Sequence, residues 1–192
     1  MFIVVEGKSD EEFLRQYILY NDFNVEFNFK QNGSNSLNND TITQIQKELD
    51  NKKRICIIFD TDKSHINTLN RIKNELVNLA NKVDIFLFPN NKDKGELETL
   101  LLDIARQPQF VECFDNYVKC VESKDISAAD NIHKKSKMFA YREASGLEKF
   151  LKKLKDNDKI PRNFLENNKI FNQYFDFDSP RLEPLRNFLC KP

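Results

Sequence analysis

The order of apolar and polar positions over residues 1–90 predicts alternating strands and helices. Phe2-Ile3-Val4-Val5 is a short apolar run that ends at a charge, Glu6, and reads as a strand. Ser9-Asp10-Glu11-Glu12 follows with capping-box spacing, and Phe13, Leu14, Tyr17 and Ile18 form a helical stripe reaching about Tyr20. Val25-Glu26-Phe27-Asn28-Phe29 alternates and predicts a second strand with one wetter face. Residues 30–40 are rich in Asn, Ser and Gly and predict a loop. Ile42, Ile45 and Leu49 fit a short helix. Residues 54–59 carry Ile55-Cys56-Ile57-Ile58-Phe59, an unbroken apolar run expected of a strand covered on both faces. Ile66, Leu69, Ile72, Leu76 and Leu79 predict a helix over 64–81, and Val83 to Phe88 a fourth strand ended by Pro89. Strands that alternate with helices pair in parallel through right-handed crossovers. The expected fold is therefore an α/β three-layer sandwich with about four parallel strands.

Beyond Pro89 the period becomes helical. A polar loop leads into Gly95-Glu96-Leu97-Glu98, where acids fall in the first turn of a helix and suit its dipole. Helices are expected over 95–106, 110–123, 131–142, 146–154 and 182–189. With no repeat and no flexible linker in view, residues 1–105 read as the α/β domain. Residues 106–192 read as a mostly helical extension packed on the same unit.

Composition sets bounds without choosing a function. The 192 residues carry 30 Lys+Arg and 30 Asp+Glu, so the formal net charge is zero. A basic patch for nucleic acid is thus neither announced nor excluded. A charge at position 6 argues for a strand rather than a signal peptide, and no apolar run approaches a membrane span. The expected location is cytoplasmic, with no membrane partner. Cys56, Cys113, Cys120 and Cys190 lack metal-binding spacing and read as free thiols.

The candidate chemistry lies at strand ends. Glu6-Gly7 follows the first strand and Asp60-Thr61-Asp62 the third. In an open parallel sheet the carboxyl ends of the strands share one edge, where ligands bind. Carboxylates far apart in sequence would meet there, as a hard divalent cation requires. Glu96 and Glu98, after the fourth strand, reach the same edge if strands three and four are neighbours. Each group alone has a plainer reading. Glu6 could be the first solvated residue after a strand, Asp62 or Ser64 a helix cap, and Glu96 and Glu98 first-turn acids.

Together the groups are more specific. Val4-Val5-Glu6-Gly7-Lys8-Ser9-Asp10, Ile57-Ile58-Phe59-Asp60-Thr61-Asp62 and the acidic segment after strand four resemble the Toprim domain. That domain is shared by topoisomerases, primases, recombination-repair proteins and OLD-type nucleases. The resemblance covers roughly residues 1–105. A closer likeness runs nearly to the C-terminus, to small stand-alone Toprim-like, OLD-related bacterial proteins of unknown function, the DUF3226 type. It rests on Phe88-Pro89-Asn90, on Gly95 to Leu101, and on the tail from Asp178 to Leu189, Asp178-Ser179-Pro180-Arg181-Leu182-Glu183-Pro184-Leu185-Arg186-Asn187-Phe188-Leu189.

The resemblance implies a nuclease-like site that uses Mg²⁺ or Mn²⁺. Glu6 matches the general acid or base, and Asp60 and Asp62 match the metal ligands. Glu96 and Glu98 are the candidates for further metal-holding acids, and Lys137 for a catalytic lysine. Lys8, Lys134 and Lys135 are candidates for nucleic-acid contact. Nucleic acid is the expected partner, with a protein partner or homo-oligomer left open. The chain is too short for a topoisomerase or primase, and it lacks the P-loop of a full-length OLD nuclease. Two other readings stand beside the phosphodiesterase. One is a non-catalytic Toprim-like module that binds nucleic acid or a protein. The other is a phosphotransfer domain with nucleophilic Asp60, which ranks last because no hydroxyl residue ends strand four. His65 and His133 read as structural or surface residues. Phe171, Tyr174, Phe175 and Phe177 read as core, and Lys149, Lys152, Lys153 and Lys155 as a solvated helix face.

Overall fold

A computed structural model describes residues 1–23, 26–61, 63–124, 134–150 and 171–191. Its elements run β1 (Phe2–Val5), α1 (Lys8–Tyr20), β2 (Asn28–Gln31), α2 (Asn39–Asp50), β3 (Ile55–Asp60), α3 (His65–Leu76), β4 (Asp84–Phe88), α4 (Leu97–Asp103), α5 (Pro108–Glu122), α6 (Lys134–Ala144) and α7 (Glu183–Leu189). The chain forms two compact units. The first comprises Met1–Leu100 with Pro180–Pro192, and the second Leu101–Ser179.

In the first unit four parallel strands are ordered β2-β1-β3-β4, as the alternation of strands and helices requires. The central strands are buried through residues 2–5 and 55–59. The two faces of the sheet separate by parity. Phe2, Val4, Ile55, Ile57, Phe59 and Leu87 pack with Ile45 of α2 and with Ile72 and Leu76 of α3. On the residues of opposite parity, the Phe88 ring meets Phe13 of α1 edge to face at 6.0 Å, and Phe86 meets Phe188 of α7 at 5.3 Å. Helices thus cover both faces, giving the expected three layers.

One strand departs from the expectation. β2 occupies Asn28–Gln31 rather than 25–29, with its ends exposed. As an edge strand it pairs only with β1, so its sequence, Asn-Phe-Lys-Gln, need not alternate. The helix expected over 64–81 is α-helical only to Leu76 and continues as a 3₁₀ turn to Lys82.

In the second unit, an isolated bridge joins Ala105 to Phe175. Tyr141 of α6 donates its hydroxyl to the Tyr174 carbonyl at 2.5 Å and packs on the Phe175 ring at 5.7 Å. Phe175 and Phe177 are buried, so this half of the aromatic cluster is core. The helix expected over 146–154 runs into residues outside those described, as do His133, Lys152, Lys153 and Lys155. Among the described residues no helix is long and apolar enough to cross a membrane. The four cysteines are free thiols. Burial pushes the Cys56 thiol up to about 12 and keeps it protonated and inert.

Candidate metal centre

The site begins with two neighbouring parallel strands. β1 pairs Val5 with Ile58, and β3 pairs Asp60 with Phe88 of β4. Glu6 therefore emerges one residue past β1 at the level where β3 ends. Its Oε1 accepts the Asp60 backbone N–H at 3.0 Å, across 54 residues of sequence. Gly7 follows with an extended backbone, φ −149°, which any residue adopts. A Cβ there would meet only Asp10 Oδ2, at 3.7 Å. The turn after Glu6 thus makes no demand for glycine, contrary to what its position suggests. Gly7 caps α1 instead, and its N–H donates to Asp10 Oδ2 at 2.8 Å. Ser9 and Asp10, expected as caps, lie inside the helix.

The third strand of the site brings the other acids. The helix expected from residue 95 starts at Leu97, because Gly95 and Glu96 form the turn that precedes it. Gly95 has φ +153°, and a Cβ there would press to 3.0 Å from both Pro89 Cδ and Thr99 Oγ1. Its carbonyl accepts the Thr61 N–H at 3.0 Å, which pins this turn to the end of β3. The Leu97 N–H, one of the unpaired donors at the start of α4, then reaches Asp60 Oδ1 at 2.8 Å. Glu96 and Glu98 are delivered to the same place. One carboxylate oxygen from each of Asp60, Glu96 and Glu98 lies within 4.8 Å of the others.

The electrostatics follow from that crowding. Asp60 is half-buried, and its pKa is pushed from 3.8 up to about 8. Loss of solvent is the chief cause, followed by the negative charges of Asp10 and Glu6, with Glu98 adding less. The Leu97 N–H works in the opposite direction. Three hard oxygen donors within 4.8 Å match the span of ligand oxygens around one divalent cation, whose bonds are about 2.0–2.6 Å. The residues therefore fit such a cation. Its binding would take the place of the proton that Asp60 otherwise holds.

Other candidates fall as follows. Asp62 lies outside the described residues. Lys8, at the start of α1, is exposed and pairs loosely with Glu12 at 3.8 Å. Lys135 is exposed on α6. Lys134 opens that helix. Lys137, on the same helix, holds Asp115 of α5 at 2.6 Å. His65 opens α3, whose cap is Ser64, accepting the Asn67 N–H at 3.4 Å. Asp10 is the acid that sequence reading undervalued. Its charge bears on Asp60 more than that of Glu6 does.

A family model described as a protein of unknown function, DUF3226, matches residues 1–191. The chain belongs to this family. No curated protein and no solved structure matches it significantly. The match spans residues of both units.

Proposed function

We propose that this DUF3226 protein is a phosphodiesterase of Toprim-like design that uses Mg²⁺ or Mn²⁺ to hydrolyse nucleic acid. The observation that carries the reading is the meeting of Asp60, Glu96 and Glu98 oxygens within 4.8 Å, beside a Glu6 carboxylate tied to the Asp60 backbone. Asp60, Glu96 and Glu98 would hold the cation, and Asp62 is proposed as a further ligand from the sequence motif alone. A bound divalent cation would neutralise the phosphoryl oxygens and lower the pKa of an attacking water. Glu6, oriented by its bond to the Asp60 N–H, would take the proton from that water and return it to the leaving oxygen. Lys8, exposed at the start of α1, is proposed to contact the phosphate backbone.

The test is metal-dependent cleavage of labelled single-stranded DNA, duplex DNA and RNA by wild type, Glu6→Gln and Asp60→Ala. The expected result is cleavage by wild type alone, with Glu6→Gln keeping metal-dependent stabilisation and losing turnover. Cation binding without cleavage of any substrate would replace this reading with a non-catalytic nucleic-acid or protein-binding module.

A further inference from the structure

Glu96 has a second neighbourhood. Besides its place in the acidic cluster, it walls a groove of about 450 Å³ with Asn35, Lys63, Ser64, Asn67 and Thr68. Three loops at the carboxyl edge of the sheet build it. Asn35 comes from between β2 and α2, Lys63 and Ser64 from between β3 and α3, and Glu96 from the turn before α4. Its chemistry is unlike that of the acidic cluster. Among the described residues of the lining, Glu96 is the one acid and Lys63 the one cation, the rest being amides and hydroxyls.

Much of the wall is already committed to the fold. Ser64 Oγ caps α3, Thr68 donates its hydroxyl to the Thr61 carbonyl at 2.8 Å, and the Asn35 carbonyl accepts from Arg71. Two polar groups are not so used. Among the described residues, the Lys63 ammonium forms no ion pair and the Asn67 carboxamide no side-chain hydrogen bond. A cation and an amide in a groove that shares a wall with a metal-fitting cluster suit a ligand with an anion beside the reacting group. A phosphodiester strand has that form, since every scissile phosphate has a flanking one. Among the described residues the lining contains no aromatic ring, so binding there would run through the backbone rather than through stacked bases.

We infer that this groove holds the nucleotide next to the scissile phosphate, with Lys63 on its phosphate and Asn67 on its sugar or base edge. The inference rests on the phosphodiesterase reading and names the positioning residues of that site. It is tested by fluorescence anisotropy with a labelled single-stranded oligonucleotide, in Ca²⁺ over a series of salt concentrations. Lys63→Ala and Lys63→Glu are compared with wild type. Lys73→Ala, in the last turn of α3 and outside the groove, controls for net charge. Mn²⁺-induced thermal stabilisation of each variant is measured in parallel. The expected result is several-fold weaker binding for Lys63→Ala and more for Lys63→Glu. The salt slope should fall by about 0.7, since one phosphate contact to a single strand is lost. Mn²⁺ stabilisation should be unchanged, and in a cleavage assay KM should rise with kcat kept. Lys63 variants that bind like wild type overturn the groove assignment and leave the metal site standing. Wild type that is stabilised by Mn²⁺ yet binds no oligonucleotide overturns the groove and the choice of substrate together. Absence of Mn²⁺ stabilisation in wild type overturns the underlying reading, and the groove with it.

Discussion

The two ends of the central sheet handle charge in opposite ways. At the amino end of β3, Arg54 engages four of its five N–H groups. It donates to Asp84 Oδ2 at 2.8 Å and to the carbonyls of Phe188, Leu189 and Lys191 at 2.8–3.1 Å. Its guanidinium also lies 5.5 Å from the centre of the Phe188 ring. A fixed cation there ties the last helix to the sheet. At the carboxyl end of the same strand the charges that bear most on Asp60 are all carboxylates, those of Asp10, Glu6 and Glu98. One end carries its own counter-ion within the fold, and the other combines burial, the larger cause, with concentrated negative charge to raise an acid's pKa to about 8. Such an arrangement weakens the protein unless something positive arrives, which is the physical signature of a binding site rather than of a structural ion pair.

The contrast can be broken most strongly at the amino end. Arg54→Met removes the charge that Asp84 and three carbonyls share. The expected cost is about 2–4 kcal/mol, or on the order of 5–15 °C in melting temperature, in urea or thermal melts. An unchanged melting point would show that α7 is held by apolar contact alone. Next is Gly95→Ala, which forces a side chain onto a left-handed backbone against Pro89 and Thr99. A loss of about 1–3 kcal/mol is expected, with weaker Mn²⁺ binding because Glu96 and Glu98 are displaced. Loss of stability with metal affinity intact would mean that the turn does not position the acids.

Asp60→Asn probes the carboxyl end with the opposite sign. An acid whose pKa is raised on folding binds its proton more tightly in the folded state. Its contribution to stability therefore declines as pH rises from about 4 to about 8 and is least favourable above that range. Asparagine keeps an acceptor for the Leu97 N–H and removes the charge. Without metal, the variant should be more stable than wild type by about 1–2 kcal/mol at pH 8.5, after solvent screening of a half-exposed group, and by almost nothing near pH 4. Denaturant midpoints across that range check this. A variant less stable than wild type at every pH would contradict the crowding of charge. The smallest effect is expected for Lys8→Ala, whose exposed pair with Glu12 should contribute less than about 0.5 kcal/mol to chemical stability.

How much of this was legible in the sequence depends on how local the cause is. β1, β3 and β4 were readable because each is an apolar run cut off by charge or proline. β2 was misplaced because an edge strand is free to be polar, and Val25 to Phe29 alternates more clearly than Asn28–Gln31 does. Glu6, Asp60, Glu96 and Glu98 stood out from their places at strand ends. That Asp60 also accepts the first N–H of α4 could not be read, since it depends on where Gly95 ends its turn. Lys63 had no pattern to mark it, being one exposed lysine among many. Arg54 was silent for a different reason. Three of its four acceptors are backbone carbonyls 134 to 137 residues away, and a carbonyl has no sequence identity.

The central claim is that the carboxyl end of β3 is a divalent-cation site. Calorimetric titration of Mn²⁺ into the full chain at pH 8, repeated with Asp60→Asn and with Glu96→Gln/Glu98→Gln, tests it most directly. The expected result is saturable binding by wild type with release of a proton, weakened at pH 6 where Asp60 is protonated, and lost in both variants. Absence of binding by wild type at millimolar Mn²⁺, or binding that survives both sets of substitutions, would contradict the claim.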